Sequence, residues 1–332
     1  MLFFELLQIA LGNRERLSVT PSEAEWTELF SFAQEQTLVG IAFTGIELLP
    51  VEQRPPKMLL MQWYSLANLI KVRNAEQDRK SLAVANRFLK DCFKSVMLKG
   101  QGMAKLYAKG EYRVPGDIDI WLEGDRKTIM NWVSDYSPKN APVYHNVSIC
   151  PIGGTEIEIH FTPSWMNCYF TNRTLQNFFR QYSKKIFCNE EHLVISEDGS
   201  WCYNQLPVAP LEFNRVFILV HIYRHLFGEG IGLRQLMDYY HVLCQGFTEE
   251  ERSETLNILK SLKMLRFAGA VMYVLQTVFG MKDAFLLLPP DEKEGRFLLN
   301  EIMQAGNFGH YDKRIKRVAN ESALHVFFRR TI

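Results

Sequence analysis

No stretch of this 332-residue chain comes near the ~18 consecutive apolar residues that a membrane-spanning helix needs. An excess of one charge is missing too: 38 Lys and Arg against 37 Asp and Glu leave a formal charge of +1. A protein that lives on nucleic acid usually carries a basic excess or stripe, and no large nucleic-acid surface is evident. Cysteine is sparse and scattered. Cys92, Cys150, Cys168, Cys188, Cys202 and Cys244 include no Cys-x-x-Cys pair, which argues against a zinc knuckle or a disulfide frame and for free thiols in a reducing compartment. The opening MLFFELLQIALGNRER has no basic residue ahead of its apolar stretch, holds Glu5 within it, and is followed by no small-residue cleavage site. An amphipathic helix is expected there, not a signal peptide, and the expected address is cytoplasmic.

What is present is ordinary globular composition, 47% apolar and 23% charged, enough for two or three packed units. Residues 1–94 read as helices throughout. TPSEAEWTELFSFAQEQ starts with Thr20-Pro21-Ser22-Glu23, a good helix opening, and helical spacing resumes from Lys57 to Phe93. The texture then changes. SVMLK (95–99) is a short buried strand, GQGMAKLYAKG a glycine turn and short helix, DIDIWL (117–122) a strand, and DRKTIMNWVSDY (125–136) a helix. YHNVSICPIGGTEIEIHF (144–161) reads as a hairpin with Gly153-Gly154 at its turn. From Leu211 the chain is helical again, and LEFNRVFILVHIYRHLF is apolar enough all round to be buried. The expected organisation is an N-terminal helical region (1–94), an α/β core (95–205) and a C-terminal helical domain (206–332).

Chemistry concentrates in the core. On a strand, Asp117 and Asp119 point to the same side, leaving Ile118 and Ile120 to pack. In TEIEIHF the same alternation puts Glu156, Glu158 and His160 on one face and Ile157, Ile159 and Phe161 on the other. Carboxylates converging from two strands would raise one another's pKa unless a divalent cation joined them, and Mg²⁺ with a substrate phosphate suits such a cluster. Ahead of them, Lys99-Gly100-Gln101-Gly102 forms a glycine turn entering a helix, an arrangement that presents backbone N–H groups to an anion. Lys99 and Arg113 add positive charge nearby. An anion-binding turn followed by metal-binding carboxylates describes a site for a nucleoside triphosphate and its Mg²⁺.

In this wording, LKG…LY…R…DIDI, then EIH, and later GLRQLMD, the chain resembles the bacterial uncharacterised nucleotidyltransferase family. That group belongs to the DNA polymerase β-like nucleotidyltransferase superfamily and is related to the toxin nucleotidyltransferases of abortive-infection systems. The likeness covers the middle third and the Leu211–Cys244 helices, and it does not place residues 1–80. It implies an α+β fold: a small mixed β-sheet nucleotidyltransferase core flanked by N-terminal and C-terminal helical regions. It also implies an enzyme that moves a nucleoside monophosphate from an NTP to an acceptor and releases pyrophosphate. The acceptor, whether small molecule, protein or RNA, is not named by it. Gly100 and Gly102 match the glycine turn, where Gln101 stands in place of the commoner serine. Asp117 and Asp119 match the two metal ligands, and Glu158 the third carboxylate, with Glu156 its competitor. The expected cofactor is Mg²⁺ or Mn²⁺, as two ions roughly 3.5–4 Å apart.

Other residues carry weaker signals. His221 and His225 have the spacing of a two-histidine zinc site, but no third ligand is apparent and packed histidines are the expectation. Arg234 and Asp238 are spaced for an ion pair along one helix face; the alternative has Arg234 holding phosphate or acceptor. Tyr107, Trp121, Trp132 and Trp165 are expected in the core. AGNFGHYDKR (305–314) reads as a loop. Two further functions stay open: a catalytically inactive nucleotide- or partner-binding module on the same fold, and the toxin component of a defence pair.

Overall fold

The computed structural model describes residues 1–312 and 314, apart from 137–140, 153, 190 and 198. Its first elements are α1 (Leu2–Ala10), α2 (Glu23–Glu35), α3 (Val39–Leu48), α4 (Lys57–Lys90), β1 (Ser95–Met97) and α5 (Gln101–Ala104). There follow β2 (Ile118–Leu122), α6 (Arg126–Tyr136), β3 (Asn146–Ile152), β4 (Thr155–His160), α7 (Tyr169–Phe187), β5 (Leu193–Ile195) and β6 (Trp201–Tyr203). The last are α8 (Leu211–Gly228), α9 (Leu233–Cys244), α10 (Glu249–Ser261), α11 (Leu265–Phe279) and α12 (Glu292–Ala305). The class is α+β with a small mixed sheet, as the resemblance implied. Among the described residues no helix is long and apolar enough to cross a membrane.

The chain divides into two compact units. One comprises Met1–Lys71, Glu111–Val114 and the described residues from Ile218 on; the other Val72–Gly110 and Pro115–Phe217.

The first unit is helical. In α1, Phe3, Leu6, Leu7 and Ile9 are buried, while Glu5 accepts hydrogen bonds from the Ser18 amide (2.7 Å) and hydroxyl (2.9 Å). The α2 start is a capping box: Ser22 Oγ accepts from the Glu25 amide, and the Glu25 carboxylate accepts from the Ser22 amide at 2.7 Å. This satisfies two of the N–H groups every helix start leaves open. In α3, a Cβ on Gly40 would lie 2.2 Å from the Tyr112 carbonyl oxygen, so only glycine permits that close approach. The helical pattern over 249–279 is broken into α10 and α11, because the chain turns at Lys263 with φ 58°.

The second unit holds the sheet, in strand order β1-β2-β4-β3. β2 and β4 are parallel; β1 pairs antiparallel with β2, and β3 with β4. The parallel register sets Ile118 against Ile157, Asp119 against Glu158, Ile120 against Ile159 and Trp121 against His160. One sheet face is therefore apolar. Ile118, Ile120, Leu122, Val147, Ile149, Ile157 and Ile159 are buried in a cluster with Val84 and Phe88 of α4 and Ile129 and Val133 of α6. Fully burying side chains of this size is worth roughly 1.5–3 kcal/mol each, which fixes the register and so the opposite face. The β3–β4 hairpin turns at Gly154 with φ +80°; Gly153 lies outside the described residues. The helix α7 and the separate β5–β6 pair are elements the sequence patterns did not reveal.

Candidate active site

Because the isoleucines take one face of β2 and β4, Asp119, Glu158 and His160 share the other. One ligand atom from each lies within 4.8 Å of the others. Asp119 is 3% exposed, a depth at which an ionised carboxylate persists only with partners. It has two. Lys99 Nζ is 2.8 Å from Asp119 Oδ1, and His160 Nε2 is 3.0 Å from the same oxygen. The backbone brings Lys99 there, since the neighbouring Leu98 amide donates to the Asp119 carbonyl at 3.0 Å. His160 Nε2 also approaches Glu158 Oε2 at 3.6 Å, and Asn146 Nδ2 of β3 donates to that oxygen at 2.7 Å. Glu156, earlier on β4, is exposed; Glu158 is the glutamate registered with Asp119.

The charges set the protonation states. Burial alone would raise the Asp119 pKa, but the Lys99 ammonium and His160 hold it well below the usual carboxylate range. Burial likewise pushes Lys99 down, and the charges of Asp119, Asp117 and Glu158 outweigh it and raise Lys99. His160 is raised by its hydrogen bonds to Asp119 and Glu158 against the effect of burial. Asp117 is raised, chiefly by the Asp119 charge, then by burial, with Lys99 opposing. Asp117 just precedes β2; the residue keeps an exposed surface while its carboxyl is drawn in beside Asp119.

The glycine turn sits against these residues. Gly100 has φ +56° and ψ −115°, a conformation that side chains disfavour, and a Cβ there would lie 3.5 Å from the Asp117 carbonyl. The helix that follows is a single turn, and the amides of Gly102, Met103 and Ala104 already bond the carbonyls of Lys99 and Gly100. Gln101 is turned elsewhere. It is buried, and its Nε2 donates to Asn74 Oδ1 at 2.7 Å and Asp78 Oδ1 at 2.6 Å on α4. Of the residues assigned to phosphate, then, Lys99 and Gly100 lie with the carboxylates, Gly102 lies in the turn's own helix, and the Gln101 side chain is committed to α4.

Arg113 and Arg234 belong to the helical unit. There Arg113 grips Asp238 with both ends of its guanidinium, Nε and Nη2 each 2.7 Å from a carboxylate oxygen. Arg234 Nη1 donates to the Val114 carbonyl at 3.2 Å. The rings of His221 and His225 lie 4.2 Å apart, tilted 57° to each other, and among the described residues no third ligand completes a metal site with them. Trp121 packs on Phe187 and Phe213, as a core residue should. Past it, between the strand ends and α7, opens a pocket of about 340 Å³ with Phe161 and Phe179 in its walls and Arg180 and Lys184 among its lining residues.

The contribution of His160 was within reach of sequence reasoning, since Glu-x-His places it on the carboxylate face. Asn146 was not, because nothing local to β3 names its partner.

The chain matches the model of a family described as uncharacterised nucleotidyltransferase over residues 22–280. No curated protein matches it. Among solved structures it is similar to the crystal structure of an antigenic nucleotidyltransferase-like protein from Paracoccidioides brasiliensis. That likeness has 11% identity and a TM-score of 0.33, over 61% of this chain and 96% of that one.

Proposed function

Since the chain belongs to the uncharacterised nucleotidyltransferase family, we propose that it transfers a nucleoside monophosphate from an NTP to an acceptor hydroxyl, with a divalent cation held by Asp117, Asp119 and Glu158. The observation that carries this reading is the cross-strand pair of Asp119 and Glu158, with Asp117 electrostatically coupled to both Asp119 and Lys99. The donors suit the cation. The carboxylates offer the hard oxygens that Mg²⁺ and Mn²⁺ take, and His160, whose Nε2 lies 3.0 Å from Asp119 Oδ1, orients one of them. When bound, such a cation neutralises triphosphate charge and stabilises the departing pyrophosphate.

The protein's own groups do the rest. Asp119 is held ionised by Lys99 and His160 against the effect of burial. Glu158, oriented by Asn146 and only half-buried, receives the proton of the acceptor hydroxyl as its oxygen bonds the α-phosphorus. The bond from the α-phosphorus to the bridging oxygen breaks, and pyrophosphate leaves. At Gly100 a Cβ would stand 3.5 Å from the Asp117 carbonyl, so glycine leaves that point of the turn open.

A second reading also has an observation behind it. Lys99 already neutralises Asp119, and Gln101 is withdrawn from the turn, as would suit a binding module without turnover. Pyrophosphate release separates the two. The purified protein is incubated with each NTP, a mixture of candidate acceptors and Mg²⁺ or Mn²⁺, with and without chelator. Release that stops with chelator or in Asp119→Asn supports the transferase; binding without release supports the module.

A further inference from the structure

Asp119 Oδ1 is occupied twice. Lys99 Nζ stands 2.8 Å from it and His160 Nε2 3.0 Å, so the two donors account for both lone pairs of the oxygen that faces the glycine turn and β4. A metal ion on that oxygen would sit at about 2.0–2.6 Å, against the ammonium and with the same sign of charge. Lys99 and a metal on Oδ1 therefore compete for that oxygen, and a metal on the carboxylate's other oxygen would still stand close to the ammonium's like charge. They are not equivalent occupants. The ammonium is a compact point charge on a flexible four-carbon stem, it keeps 17% side-chain exposure, and it leads directly into Gly100. A bound triphosphate would give it an anion to move to. Free metal alone gives it none.

We propose that Lys99 is an internal counter-ion that keeps free divalent metal off Asp119, and that it leaves for the triphosphate when metal and nucleotide arrive together. This rests on the nucleotidyltransferase reading and adds an order to it: the site takes the metal–NTP complex, not metal first. His160 stays on Asp119 through the exchange and fixes the carboxylate's orientation. The device answers a physical need. Asp117, Asp119 and Glu158 crowd one face, and without a resident cation the sheet would carry their repulsion whenever nucleotide is absent.

The test is Mn²⁺ binding, followed by electron paramagnetic resonance and calorimetry, with and without an NTP analogue that cannot be cleaved at the α–β bond. In the wild type, Mn²⁺ alone binds weakly and the analogue tightens it on the order of tenfold or more, within the usual range of coupling between sites. In Lys99→Met, Mn²⁺ alone binds on the order of tenfold tighter than in the wild type and the coupling largely disappears. Lys99→Arg, which keeps the charge, retains weak binding of metal alone. Lys99→Gln serves if Lys99→Met fails to fold, since it keeps a hydrogen-bond donor for Asp119. Unchanged or weaker Mn²⁺ binding in folded Lys99→Met or Lys99→Gln, with a wild type that does bind Mn²⁺, overturns the counter-ion role and leaves the transferase reading intact. No Mn²⁺ binding by any form, with or without analogue, overturns both.

Discussion

Asp119 and Glu158 face each other across the only parallel strand pair of the described four-stranded sheet, one deeply buried and one half-buried, with His160 Nε2 within reach of both. Like charges opposite each other on a sheet destabilise it unless something offsets them. Their function is therefore best separated by comparing the two glutamates of β4. Glu158→Gln is expected to lower nucleotidyl transfer by about 10²–10³-fold, the scale on which a single electrostatic or proton-accepting group acts. Glu156→Gln, an exposed position, is expected to leave the rate near that of the wild type. Steady-state rates of pyrophosphate release decide it.

The turn before the carboxylates gives a second comparison. Gly100→Ala forces a side chain into a backbone conformation at φ +56° and should cost roughly 1–3 kcal/mol of stability. It should also slow transfer, because the same turn carries Lys99 to Asp119. At Gly102 a Cβ would meet Val208 Cγ1 at 3.4 Å, an ordinary contact, so Gly102→Ala should be far milder. Urea unfolding and rate measurements on both variants check this.

In the helical unit, Arg113 and Asp238 form a buried bidentate pair. Arg113→Met removes the bidentate partner of a buried carboxylate and should cost about 3–5 kcal/mol. Arg113→Met with Asp238→Leu removes both charges and should recover most of that loss, since such pairs often exchange for apolar residues at little cost. Chemical denaturation of the single and double variants reads the difference.

His241 predicts a pH dependence. Burial lowers its pKa from 6.5 to about 4, with Asp238 opposing and Arg113 adding to the lowering. Above pH 6.5 neither folded nor unfolded chain binds a proton there, and this residue costs nothing. Between pH 6.5 and about 4 the unfolded chain takes a proton that the folded one refuses, so stability falls with pH, by about 3 kcal/mol at the lower end. Unfolding free energies at pH 7.5, 6 and 5 should show the decline in the wild type, and His241→Gln should flatten that part of the profile.

What could be read beforehand was what depends on neighbours along the chain. The alternation of DIDI and EIEIH assigns faces within each strand, and Ser22 with Glu25 announces a helix start. What could not be read depends on distant pairing. No local pattern says that Asp119 registers with Glu158 instead of Glu156, or that Lys99 reaches Asp119 through the Leu98 amide. Helix spacing names Arg234 as a neighbour of Asp238 and is silent about Arg113, which lies 125 residues away. Lys263 gives no warning that it will adopt φ 58° between α10 and α11. Gln101 fits a phosphate turn by position, yet Asn74 and Asp78 on α4 claim its amide.

The most direct measurement follows the fate of the two ends of the nucleotide. The wild type and Asp119→Asn are each given NTPs labelled either at the α- or at the γ-phosphorus, with Mg²⁺ or Mn²⁺ and a mixture of acceptors. The expected result is α-label in a stable product and γ-label in pyrophosphate, for the wild type alone. Product carrying the γ-label, or equal α-labelling by Asp119→Asn, would contradict nucleotidyl transfer at this carboxylate pair.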